Sequence, residues 1–231
     1  MKVKLFADGA DKATMIKMAG NPTISGLTTN PTLLRKAGVE NYEKFAKDVL
    51  SAITEKSVSF EVISDDFDEM LKQARTISSW GNNVYVKIPI TNSRGVYSPS
   101  LIKTLNQEGI KINVTAITQV HQVKFVLDNL PSKKGVYISV FAGRIADAGA
   151  DYLKIMKEAV ELVKDTDIEI IWASPRELYN VVQADSIGCH IITCTTDILN
   201  KLPLLGKDLD EYSRETAEMF LNDAKQSGYT L

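Results

Sequence analysis

With 231 residues, 44% of them apolar and 24% charged, the chain is long enough for one barrel or one large α/β domain, and its composition is not that of a disordered tract. A formal net charge of -2, with acids and bases interspersed, leaves no broad basic footprint for nucleic acid. No apolar run reaches membrane-spanning length, and the only two cysteines, Cys189 and Cys194, suggest neither a disulfide framework nor a zinc site.

Short β-branched or apolar runs alternate with helix-length amphipathic segments along the whole chain. Strands are expected over residues 2–7, 26–29, 58–63, 84–90, 112–116, 136–141, 168–173 and 190–194. Helices are expected between them, among others over 31–36, 42–54, 67–80, 119–130 and 152–164. Eight β/α units in this length favour the α/β class and a single closed (β/α)8 TIM barrel over an open doubly wound sheet. No G-x-G-x-x-G follows the first strand, which weakens a dinucleotide-binding reading. An additional C-terminal helix is expected over 208–227, with Leu209, Tyr212, Met219, Phe220 and Ala224 on one face. The expected division is a catalytic barrel at 1–206 and the C-terminal helix at 207–231.

The opening residues, MKVKLFADGAD, lack the apolar stretch and small-residue cleavage site of a signal peptide, so a cytoplasmic protein is expected. The two cysteines lie in or beside an apolar strand and read as small buried hydrophobes. His121 and His190 are the only imidazoles, and no metal or cofactor is expected.

Alternation along the strands decides which side chains enter the barrel. In VYVKIP, Val84, Val86 and Ile88 belong to the helix side and Lys87 points inward. Val58, Phe60 and Val62 likewise face outward, leaving Ser59 and Glu61 inside. The same parity brings in Phe6 and Asp8, Asn113 and Thr115, and Tyr137, Ser139 and Phe141. From the seventh strand it brings in Trp172, Ser174 and then Arg176. An Asp, a Glu and a Lys thus converge on the C-terminal mouth, where barrel enzymes build their sites. Unpartnered buried charge costs several kcal/mol, so a purely structural ion network is the weaker explanation. A lysine withdrawn from water yields a neutral amine more readily, and that amine can attack a carbonyl. The resulting iminium draws electrons from the adjacent carbon–carbon bond without a metal or cofactor, while carboxylates move protons.

The segments LFADGAD, GLTTNPTLL, VSFEVI, VYVKIPIT, GIKINVTAI, YISVFAGRIAD and WASPRE occur in this order. Together they resemble the transaldolases, particularly the short bacterial branch, over nearly the whole chain. The resemblance implies that Lys87 forms the Schiff base. Asp8 would exchange a proton at the bond being cleaved, and Glu61 with Thr115 would position a catalytic water. Asn30, Asn113 and Ser139 would hold the hydroxyls of a dihydroxyacetone fragment. Arg144, Ser174 and Arg176 would hold phosphate, with sugar phosphates as substrates. It also implies a homo-oligomer, a pentameric ring or two stacked rings making a decamer, in which the last helix packs on a neighbouring subunit.

Simpler roles compete at several positions. Asn30 and Ser174, each before a proline, are good helix N-caps. Arg144 and Arg176 suit surface ion pairs, Thr115 suits a barrel filler, and Asn113 could satisfy backbone groups. The expected activity is transfer of a dihydroxyacetone unit from a ketose phosphate to an aldose phosphate, as in the pentose phosphate pathway. One alternative is an aldolase releasing dihydroxyacetone, whose branch of the family carries a glutamine and a tyrosine where this chain has Glu61 and Phe141. Another is a catalytically silent sugar-phosphate-binding barrel.

Overall fold

The computed structural model describes residues 1–229. Its elements, in chain order, are β1 (Lys4–Asp8), α1 (Lys12–Ala19), β2 (Ile24–Thr28), α2 (Pro31–Lys36), α3 (Tyr42–Leu50), β3 (Ser57–Glu61), α4 (Phe67–Ser78) and β4 (Val84–Pro89). There follow α5 (Pro99–Gln107), β5 (Ile112–Ile117), α6 (Val120–Asp128), β6 (Val136–Val140), α7 (Ala142–Asp147), α8 (Tyr152–Val163), β7 (Glu169–Trp172), α9 (Tyr179–Ser186), β8 (Ile191–Thr195), α10 (Thr196–Leu199) and α11 (Leu209–Ser227). The strands form a closed barrel in sequence order. β1 and β8 pair in parallel from Lys4 opposite Ile191 to Asp8 opposite Thr195, which completes the ring. The expected (β/α)8 architecture is therefore present.

Side-chain alternation builds two apolar layers. On the helix side, Val58, Phe60, Val86 and Ile88 are fully buried. Phe60 there meets Tyr42 and Trp80 edge-on, with the Tyr42 and Trp80 ring centroids 5.5 Å apart. Inside the barrel, Phe6, Tyr137, Ile171 and Ile191 form a plug, with Tyr85 stacked on Tyr137 at 3.9 Å. This plug fills the lower half and leaves the polar side chains to the upper mouth. Cys189 and Cys194 are buried and unpaired, and burial pushes both thiols up to about 12.

One inward assignment is corrected. Trp172 faces the helices, where its ring meets Tyr152 of α8 edge-on at 5.6 Å. Ile171 is the inward residue of β7. Ser174 nevertheless reaches the mouth, because its φ of 59° turns the chain after the strand and resets the alternation.

Met1–Leu199 forms one compact unit and the chain from Asn200 a second. In the second unit α11 is capped by Asp208, whose side chain accepts from the Glu211 N–H. It ends at Gly228, where a φ of 68° requires the left-handed conformation that glycine adopts without strain. Leu209, Tyr212, Met219, Phe220 and Leu221 of this helix are exposed. Among the described residues no helix is long and apolar enough to cross a membrane.

Candidate active site

A cavity of ≈ 430 Å³ opens at the C-terminal mouth of the barrel. Its lining includes Asp8, Asn30, Glu61, Lys87, Thr115, Ser139, Phe141, Arg144, Ser174 and Arg176. The sequence had pointed to all of these. Asn113, also expected there, is fully buried and not part of the wall.

Lys87 stands at the centre and is only 5% exposed. Its Nζ lies 3.1 Å from Glu61 Oε2 and donates to the Thr29 carbonyl at 2.8 Å. The pairing of Glu61 with Lys87 follows from register, since the two are direct partners across β3 and β4. Among the described residues, the ion-pair partner of this lysine is thus the Glu61 carboxylate. The Thr115 hydroxyl, on the next strand, is buried and has no hydrogen-bond partner among the described residues. It is therefore free to hold a water or a substrate hydroxyl.

Asp8 comes from β1 and accepts from Thr28 Oγ1 at 2.8 Å. Thr28 and Thr193 share a further hydroxyl–hydroxyl bond of 2.6 Å. Burial raises the Asp8 pKa above its ordinary value, against the opposing pull of Lys87 and the Thr28 hydrogen bond; the Glu61 charge adds to the rise. An acid so displaced is suited to take and return a proton nearer neutral pH.

Beneath the cavity, Asn113 links two strands. Its Nδ2 donates to Ser59 Oγ at 3.2 Å, and its Oδ1 accepts from Ser139 Oγ at 2.7 Å. Its amide therefore engages side chains rather than the backbone, and the Ser139 oxygen keeps lone pairs directed at the cavity it lines. Asn30 combines a place in the wall with an N-cap, its Oδ1 accepting from the Leu33 N–H at 3.0 Å. Its amide nitrogen is left for a ligand.

Ser174 does not cap a helix, contrary to one sequence reading. The following helix begins at Tyr179, and the Asn180 side chain reaches back to accept from the Arg176 N–H at 2.7 Å. Arg176 makes a two-pronged contact with Asp147, whereas Arg144 is exposed and in no ion pair among the described residues. Both line the same side of the mouth as Ser174. Among the described residues, the non-glycine positions of positive φ are Ala116 and Ser174 (61° and 59°), and both sit in this wall. Such conformations cost of order 1–3 kcal/mol each and concentrate at working sites.

Four polar residues of the wall were missed by the sequence reading: Thr28, Thr32, Thr193 and Thr195. Strand alternation would have found the last two, because Ile191 is inward and Thr193 and Thr195 follow at intervals of two. Tyr42 was missed as well. It lies behind the wall, and its hydroxyl donates to the Glu61 carbonyl at 3.0 Å and accepts from the Glu61 N–H at 2.8 Å. Burial lifts its pKa well above the usual phenol range, so the hydroxyl stays protonated and can do both.

Comparison with known proteins bears on the fold and the family. A solved HpcH/HpaI aldolase/citrate lyase family protein from Burkholderia cenocepacia superposes with a TM-score of 0.61 over 92% of this chain and 95% of that one. At 12% identity it is similar in fold alone. A probable transaldolase from Dehalococcoides mccartyi is 34% identical over 87% of this chain and 90% of its own. Another from Clostridium kluyveri is 36% identical over 85% and 88%, and one from Methanococcus maripaludis 33% over 91% and 95%. The family model described as transaldolase/fructose-6-phosphate aldolase matches residues 5–231. With the barrel, the polar mouth and a match of that extent in agreement, the chain belongs to the transaldolase/fructose-6-phosphate aldolase family.

Proposed function

We propose that the protein is a transaldolase that moves a dihydroxyacetone unit from a ketose phosphate to an aldose phosphate through a Schiff base on Lys87. The observation that carries this reading is the ion pair of buried Lys87 with half-buried Glu61 at the barrel mouth, in a cavity that Asp8 also lines. The Lys87 amine, after giving up a proton, adds to the ketose carbonyl. Loss of water, held between Glu61 and the free Thr115 hydroxyl, gives an iminium. Asp8 then takes the proton of the hydroxyl on the carbon β to the iminium. The bond between the α and β carbons breaks, its electrons pass to the iminium, and an aldose phosphate departs. The enamine left on Lys87 adds to an incoming aldehyde, Asp8 returns the proton, and water releases the product.

Asn30 and Ser139 are suited to the hydroxyls of the retained fragment, with Asn113 fixing Ser139 from below. Arg144, Ser174 and Arg176 make a cationic, hydroxyl-bearing rim suited to phosphate. Transfer is favoured over release of dihydroxyacetone by Phe141, which lines the cavity without a hydroxyl that could protonate the enamine. The exposed apolar side chains of α11 support its use as an assembly element against a second copy of the chain. Borohydride reduction with fructose 6-phosphate, followed by mass spectrometry, tests the central step. A reduced three-carbon adduct on Lys87, absent from Lys87→Met, is expected. An adduct on any other lysine would overturn the assignment.

A further inference from the structure

The backbone hydrogen bonds between β2 and β3 stop one rung before the cavity, and the residue at that point is Tyr42. The last regular rung is the Thr29 N–H to the Ser59 carbonyl at 3.1 Å. In a parallel pair, the next rung would join the Glu61 N–H to the Thr29 carbonyl and the N–H of residue 31 to the Glu61 carbonyl. Residue 31 is proline and has no N–H, so the second of these bonds cannot form. The Tyr42 hydroxyl supplies both missing partners, accepting from the Glu61 N–H at 2.8 Å and donating to the Glu61 carbonyl at 3.0 Å. The Thr29 carbonyl, released from its ladder partner, instead accepts from Lys87 Nζ at 2.8 Å.

We infer that Tyr42 is a positioning residue for the lysine site. By replacing a rung of the sheet it fixes the Glu61 backbone and frees the Thr29 carbonyl to orient the Lys87 amine. Its placement suits the task. It is the first residue of α3, which is fixed by the Asn41 side chain accepting from the Lys44 N–H at 2.8 Å. Its ring is wedged against Phe60 and Trp80 at centroid distances of 6.2 and 5.5 Å. The hydroxyl therefore has little freedom to leave the rung. The catalytic consequence rests on the proposed role of Lys87, whereas the replaced rung does not.

The test compares Tyr42→Phe, which keeps the ring, with Trp80→Phe, which trims the ring cluster and keeps the hydroxyl. In Tyr42→Phe the rate of borohydride-trappable adduct formation at Lys87 and kcat should fall roughly ten- to a hundredfold, with KM within about twofold, as expected when a reacting group is misplaced rather than removed. Trp80→Phe should lower the melting temperature and keep kcat within about twofold, since it leaves every hydrogen bond of the lysine in place. Equal losses of kcat in both variants, or an unchanged trapping rate in Tyr42→Phe, overturn the proposal. Amide exchange at Glu61 is an independent readout: it should accelerate at least about tenfold in Tyr42→Phe, and an unchanged rate also overturns it. If the wild-type chain is not trapped at Lys87, the functional reading fails while this exchange measurement still judges the rung. Should Tyr42→Phe not fold, 3-fluorotyrosine at position 42 keeps ring and hydroxyl but makes the oxygen a poorer acceptor. Glu61 exchange should then rise and trapping slow, and no change in either would overturn the proposal.

Discussion

Gly143 lies so close to Ser174 that a β-carbon added to the glycine would fall 1.7 Å from the Ser174 carbonyl oxygen and 3.0 Å from Arg176 Nε. The first turn of α7 and the turn after β7 thus share a backbone contact with room for hydrogen only. Gly143→Ala should push away the segment carrying Ser174 and Arg176 and destabilise the chain by about 1–3 kcal/mol. KM for phosphorylated donors should rise at least roughly tenfold, while free dihydroxyacetone still traps on Lys87. Equal effects on phosphorylated and unphosphorylated substrates would show that this turn does not bind phosphate.

Arg144→Ala and Arg176→Ala should each weaken phosphorylated substrates by about 1.5–3 kcal/mol, roughly ten- to a hundredfold, and leave unphosphorylated analogues little changed. The two should differ in one respect. Arg176 is held by Asp147, so Asp147→Asn should loosen it and reproduce a fraction of the Arg176→Ala loss. Steady-state kinetics on matched donors with and without phosphate gives the comparison directly.

Asp8→Asn should abolish cleavage yet stabilise the fold at neutral pH. Because burial raises the folded pKa of Asp8, the folded chain holds a proton over a pH range in which the unfolded chain has released it. The stabilising contribution is fully present below the ordinary aspartate value of 3.8 and is lost as pH rises through the raised value. A permanently neutral asparagine avoids that loss. At pH 7 the variant should melt roughly 2–4 °C higher per kcal/mol recovered, and the gap should close towards pH 4. A variant less stable than the wild type at pH 7 would contradict this account.

Phe141→Tyr should divert the enamine from transfer to protonation. A hydroxyl at this position in the cavity wall would bring a proton source to the enamine carbon. Free dihydroxyacetone from fructose 6-phosphate should increase relative to transfer to erythrose 4-phosphate, with trapping at Lys87 retained. If the wild type already releases dihydroxyacetone as fast as it transfers it, the transferase reading fails whatever the variant does.

Removal of residues 208–231 should shift the mass in solution to smaller species, measured by light scattering. The basis is the exposure of Leu209, Phe220 and Leu221, at 77%, 63% and 54%. An unchanged mass would assign those side chains some other role.

Alternation made most of the barrel legible. The outward Val84, Val86 and Ile88 placed Lys87 inside, and Val58 and Phe60 did the same for Glu61. The rule failed at β7, where Trp172, Ser174 and Arg176 share a parity but not a face. A left-handed turn at a serine has no compositional signature, so nothing in WASPRE announces that the period breaks at Ser174. Tyr42 was illegible for a different reason. It lies outside every motif, and its role arises only because Pro31 withholds a hydrogen bond from a strand 30 residues further along.

Ring closure through β1 and β8 also sets the order in which a growing chain could acquire its chemistry. Glu61, Lys87 and Thr115 lie on three consecutive strands, and their pairing is complete once β5 has been made. Asp8 emerges first from the ribosome, yet the hydroxyl pair beside it joins Thr28 to Thr193, 165 residues apart. A nascent chain could therefore bring an amine and its carboxylate together well before the residue that governs cleavage is fixed. Full turnover must wait for the longest loop in the molecule to close.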